Sequence, residues 1–138
     1  MSDILTSTSL ALLILRVGTG VIFIPHGYPK MSGRGSEEKH SRASLTQSIA
    51  RLGLPFPYAL AIVVGAIEFI GGWMLIVGLL TQWVALAEAF VMLVAAGRNF
   101  FQKSFVGSAD FPFSLLVSTL ALALLGGGAL SLDWLLFR

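Results

Sequence analysis

The chain has no cysteine. That absence removes disulfides, iron–sulfur clusters, thiolate metal sites and thiol redox chemistry, so any redox activity needs a bound organic molecule or a partner protein. Histidine is nearly as scarce: His26 lies beside a hydrophobic stretch and His40 in a polar one. A bis-histidine haem needs two imidazoles at suitable depth and is disfavoured, and no metal site is expected. Charge is sparse too. Only 12% of the residues are charged against 56% hydrophobic, and the mean hydropathy of +0.86 places the chain among integral membrane proteins. The first nine residues hold no lysine or arginine, so the basic start of a signal peptide is lacking and the first apolar stretch reads as a retained helix.

What is present is organised around residues 59–80, ALAIVVGAIEFIGGWMLIVGLL, an apolar run with one carboxylate, Glu68. A hydrocarbon core of about 30 Å needs roughly 20 apolar residues, and this run suffices. An acid at such depth costs about 2.5–3.5 kcal/mol on insertion scales, so it turns inward and takes a partner. Gly65 and Gly72 share the helical face of Glu68 and admit close approach of another helix or a flat ligand; Ile70, Trp73 and Val77 occupy the opposite, lipid-ready face.

Four spans are expected, at about 10–27, 58–80, 83–98 and 111–128. The short connection at Thr81 and Gln82 makes the second and third antiparallel neighbours, so the expected fold is an all-α integral membrane four-helix bundle, antiparallel and up-down. The cluster Pro25, His26, Gly27 and Pro29 is expected to unwind or kink the first helix as it leaves the membrane. In the long polar connection, residues 44–54 read either as a short amphipathic interfacial helix or as a solvated loop. Gly126, Gly127 and Gly128 stop the fourth span, and Ser131 to Trp134 read as a capped turn with Ser131 as cap.

The first and third connections carry Lys30, Arg34, Lys39, Arg42, Arg51, Arg98 and Lys103, seven cations against Arg138 alone on the other side. Both termini are therefore expected outside, with Tyr28 and Tyr58 at the inner interface and Trp83 and Trp134 at the outer one. The same bias accounts for the pI near 9.4 without nucleic acid, for which no binding is expected.

Three ionisable groups fall inside the spans. Arg16 and Glu88 lie about 10 Å below the outer surface at ~1.5 Å per residue, and Glu68 a little deeper, so the three are expected to meet, the guanidinium offsetting one or both acids. That cluster reads either as an ion pair fixing helix register or as a site for a small polar or quinone-like molecule or a proton path. His26 reads as a proton-exchange group or as a cap on the first helix, Lys30 as a headgroup or substrate contact, and Asp133 as a capping or anchoring group.

Several motifs carry a resemblance. RVGTGVIFIPHGYPK from Arg16 to Lys30, GAIEFIGGWMLIVGLLT from Gly65 to Thr81, and the closing Ser131-Leu132-Asp133 together resemble the DoxX family across nearly the whole chain outside residues 33–50. The chain departs from that pattern at Asp110, where many relatives have glutamate, and at Ala129, where many have a basic residue. The resemblance implies a four-helix inner-membrane protein related to the small subunits of thiosulfate:quinone oxidoreductase, in a family tied to redox homeostasis. On that footing the expected function is a quinone- or small-molecule-binding membrane component of an oxidoreductase, with Arg16, Glu68, Glu88, His26 and Lys30 as binding groups. Glu68, Glu88 and His26 exchange protons in that reading, and a soluble partner at the inner face supplies electrons. A homo-oligomer is also expected. Competing expectations are an assembly protein whose ions only fix packing and a transporter of a small anion or protons.

Overall fold

A computed structural model describes residues 6–33 and 41–137, so Arg34, Lys39, His40 and Arg138 lie outside the described residues. Four long helices, α1 (Ser7–Ser32), α3 (Pro57–Val77), α4 (Thr81–Gln102) and α5 (Asp110–Leu125), are joined by short α2 (Arg42–Arg51) and followed by α6 (Leu132–Phe137). A wide turn over Phe105–Ala109, broken at Val106 and Gly107, leads into α5. Four segments, Ser7–Ser32, Pro57–Val77, Thr81–Gln102 and Phe105–Leu125, are long and apolar enough to cross a membrane.

Each segment owes its ends to identifiable groups. Thr6 caps α1 by accepting the Ser9 N–H. Contrary to expectation, Pro25 and Pro29 do not end α1, which runs on to Ser32 and stops at left-handed Gly33 (φ 69°). A proline removes one N–H each time, but the contact that α3 makes over Gly27 holds this turn in place. The segment after residue 41 is a helix rather than a loop: Ser41 caps it, Ile49 is buried, and Arg42 docks it by donating to the Lys30 and Met31 carbonyls and to the Tyr58 hydroxyl. Proline at the first position starts α3, and Gly78 in the left-handed conformation (φ 73°) ends it. The turn to α4 is Gly78 to Leu80, one residue pair earlier than the spacing suggests, because α4 already begins at Thr81.

The helices run up, down, up, down. α1 packs on α3 and α4 on α5, and the two pairs join along α3–α4 and α1–α5. The α1–α3 pair is closest. Gly20 lies over Gly72 and Gly27 over Gly65, both pairs seven apart in their own helices, and a Cβ added at Gly20 would stand 2.5 Å from the Gly72 carbonyl oxygen. Only glycine permits that approach. Leu12, Phe23, Leu75, Ala85, Met92, Leu115 and Leu122 fill the centre, while Ile70, Trp73 and Val77 stand exposed on the lipid-facing side of α3. The α3–α4 turn and α6 lie at one end of the bundle, the turn end; α2 and the α4–α5 connection lie at the other, the α2 end.

Candidate functional site

Lys30 sits in the last turn of α1, where a lysine ordinarily extends to headgroups. Here it points the other way. The Cα–Cβ bond of a helical residue tilts toward the helix N-terminus, which for α1 is toward the bundle interior. Its Cβ lies against Gly65, and its ammonium pairs with the Glu68 carboxylate. Glu68, on antiparallel α3, leans by the same rule toward the α2 end and meets it halfway. Lys30 is 8% exposed and Glu68 2%, so the pair is shut away from lipid and water, and each charge offsets the other's desolvation.

Glu88, on α4, is within electrostatic reach of Glu68 and Lys30. It is fully buried, yet neither carboxyl oxygen has a hydrogen-bond partner among the described residues. Such a group costs about 1–3 kcal/mol, more when charged. Its neighbour across the helix interface is Gly71 of α3: a Cβ there would stand 2.8 Å from Glu88 Oε1 and 3.2 Å from Val84 Cγ1. Glycine at this position is what lets a carboxyl fit between α3 and α4.

Arg16 does not join the acids, which corrects the expectation that it shares their pocket. It is fully buried, and its guanidinium donates to the carbonyls of Leu75 (3.2 Å), Ile76 (3.3 Å) and Leu130 (2.7 Å). The α1–α3 register, Gly20 over Gly72 and Gly27 over Gly65, sets Arg16 level with Ile76, roughly 12 Å along α3 from Glu68 at ~1.5 Å per residue, and Arg16 leans further toward the turn end while Glu68 leans toward the α2 end. At the turn end the last carbonyls of α3 lack intrahelical partners, and the guanidinium fork supplies donors at the negative end of the helix dipole. Asp133 completes the arrangement: its two oxygens accept from Leu80 N (2.6 Å) and Thr81 N (2.8 Å), and its own N–H donates to Gly78 O (2.9 Å). A cation thus closes α3 and an anion opens α4. Ser131 caps the following turn by accepting the Trp134 N–H at 3.2 Å.

His26 is held by α1 itself and by α5. Its Nδ1 stands 2.8 Å from the Ile22 carbonyl one turn earlier, and its ring stacks on Phe111 of α5, centroids 5.7 Å apart. Asp110 is exposed and accepts from Gly107 N and Phe111 N, fastening the wide turn before α5. The structure therefore pairs Lys30 with Glu68, sets Glu88 within electrostatic reach of them and places the Arg16 guanidinium at the turn end. Sequence reading missed the Lys30–Glu68 pair, although a signal exists: Gly27 and Gly65 each precede their charge by three residues, as a close antiparallel crossing at the glycines requires. Gly71 also went unremarked, one glycine within a Gly-Gly pair.

Four antiparallel helices of spanning length, with ionisable groups buried between them, define a multi-pass membrane protein of the small helical-bundle class. The chain belongs to the DoxX family, whose model matches residues 11–103. It is 34% identical over 132 residues to a Bacillus subtilis (strain 168) protein named "Putative oxidoreductase CatD", covering 96% of this chain and 91% of that protein. It is 31% identical over 130 residues to "Inner membrane protein YphA" of Escherichia coli (strain K12), covering 88% of this chain and 87% of that protein. No solved structure matches it.

Proposed function

We propose that the protein is a quinone- or similar small-molecule-binding membrane component of an oxidoreductase system in the cell inner membrane. The observation that carries this reading is Glu88, a fully buried carboxyl with no hydrogen-bond partner within electrostatic reach of a buried Lys30–Glu68 pair. Unpaired ionisable groups inside a membrane are costly and mark binding sites or proton paths. The names of the two relatives, one an oxidoreductase and one an inner membrane protein, agree with it.

In this reading Glu88 is the proton-exchanging and hydrogen-bonding group. A protonated carboxyl donates to a quinone carbonyl and an ionised one accepts from a quinol hydroxyl, so one group serves both oxidation states. Reduction of a quinone takes two electrons and two protons. The electrons come from a partner protein, since a chain without cysteine offers no cluster or thiol to carry them. Arg42, Arg51, Arg98 and Lys103 gather at the α2 end and give an acidic soluble partner a place to dock there. Lys30 and Glu68 set the field around Glu88, and His26 exchanges protons nearer the α2 end. Arg16 has no part in the site.

The test is extraction of the protein with its native lipids and assay of the extract for quinone by mass spectrometry, beside Glu88→Gln. Near-stoichiometric quinone in the wild type, lost in the variant, is expected. Quinone absent from both, or equal in both, overturns the reading. The enclosure of Arg16, Glu68 and Glu88, all 2% exposed or less, favours a second reading in which the buried ions only fix packing; there Glu88→Leu gains stability and loses no function.

A further inference from the structure

Between α3 and α4 the bundle surface carries a groove of about 280 Å³, lined by Ala66, Ile67, Ile70 and Gly71 of α3 and by Val84 and Ala87 of α4. Every lining side chain is apolar. The groove opens sideways, and Ile70 on its rim is 49% exposed, so in a bilayer it faces acyl chains rather than water. Its volume lies just under the about 300–1,000 Å³ usual for small-molecule sites, enough for a single ring. A larger groove of about 370 Å³ beside α6 differs in kind, because its polar lining groups, Ser131 and Asp133, already hydrogen-bond within the protein.

What distinguishes the α3–α4 groove is the residue behind it. Gly71 belongs to its wall, and the enclosed Glu88 carboxyl adjoins the same glycine, with Oε1 2.8 Å from where a Cβ would be. The wall there has no side chain, and the buried group next to it has no partner. An apolar surface with an enclosed, unsatisfied oxygen pair next to one of its lining residues matches a ligand that is apolar along its length and bears one hydrogen-bonding oxygen at its head.

We infer that the α3–α4 groove is the seat of a lipid-soluble quinone, which enters sideways from the bilayer, lays its ring against Ile67 and Ile70, and brings one oxygen to Glu88 past Gly71. The inference rests on the reading of Glu88 given above and adds the place and route of binding. The Glu88 oxygens are closed off from the groove as well as from water, so the ligand reaches them from the lipid side only when α3 and α4 part at Gly71 and Val84. Gly71 is then a selectivity element: any side chain there presses on both Glu88 and Val84.

The experiment uses the whole protein in nanodiscs with a short-tailed benzoquinone bearing a photoreactive group, the cross-linked peptides being mapped by mass spectrometry. Labelling within residues 66–74 and 84–87 of the wild type is expected, competed by the unmodified quinone and not by a hydrocarbon of equal length without oxygens. Ala66→Phe, which fills the groove, is expected to lower labelling at least tenfold, and Val63→Phe, at an exposed position outside the groove, to leave it unchanged. Labelling that maps elsewhere and still depends on Glu88 overturns the groove and leaves the reading of Glu88 standing. Groove labelling that survives Glu88→Gln, or is competed equally by the plain hydrocarbon, overturns both. Mapping of the wild type decides the matter even if a variant does not fold.

Discussion

Lys30 and Glu68 are each other's partner, and the consequence is measurable. Removing one member of a buried pair leaves an uncompensated charge, at a cost of about 3–5 kcal/mol, whereas replacing both by apolar residues is often neutral or stabilising. Lys30→Met is therefore expected to lower stability in micelles by about 3–5 kcal/mol, and Lys30→Met combined with Glu68→Leu to restore most of it, as followed by denaturant unfolding. A double variant as unstable as the single one would show that the two groups do not hold each other. Arg16 is of another kind. It donates to three carbonyls, with Asp133 as the charge within electrostatic reach, and lysine, a point charge on a flexible stem, does not reproduce that fork.

The α1–α3 pair shows how an element-level contact decides which glycines matter. A Cβ on Gly27 would run into the backbone of Phe69 and stand 2.8 Å from the Gly65 carbonyl oxygen, whereas a Cβ on Gly18, on the same helix, meets nothing. Gly27→Ala is expected to destabilise the bundle by about 1–3 kcal/mol through overpacking. Gly18→Ala is expected to be neutral or to stabilise by about 0.5–1 kcal/mol through helix propensity. Thermal unfolding of the two variants side by side checks this, and equal effects would refute the crossing. The strained turn between α3 and α4 is held in the same element-level way: Leu80 adopts a left-handed conformation (φ 49°) because the Asp133 carboxylate takes its N–H and that of Thr81.

At the scale of the whole molecule, the four-helix order puts Gln82 and α6 at one end and Ser104 with α2 at the other. Five cations outside the spans at the α2 end, Arg34, Lys39, Arg42, Arg51 and Lys103, against Arg138 at the other, lead to the expectation that the α2 end faces the cell interior. A chain without cysteine makes the test clean. A membrane-impermeant thiol reagent applied to intact cells is expected to label Gln82→Cys and not Ser104→Cys, both positions being exposed; the opposite pattern would invert the topology.

Membrane residence, four helices, their antiparallel order and the burial of Arg16, Glu68 and Glu88, though not of Lys30, were determined by the sequence, because these depend on hydrophobic length and connection length, which are local. The glycine stop after Leu125 and the Ser131 cap were legible for the same reason. Which charges meet was decided only in the tertiary structure. Counting residues in from the outer ends places Arg16, Glu68 and Glu88 at nearly one level, but the glycine register of α1 on α3 sets Arg16 two turns from Glu68, and side chains lean toward the start of their own helix, which parts Arg16 from Glu68 further and lets Lys30 and Glu68, more than a turn apart, converge. Arg16 went to the last carbonyls of α3, Lys30 turned inward to Glu68, and Glu88 was left without a hydrogen-bond partner next to Gly71, because the close crossing of α1 and α3 and the contact of α3 with α4 set those distances.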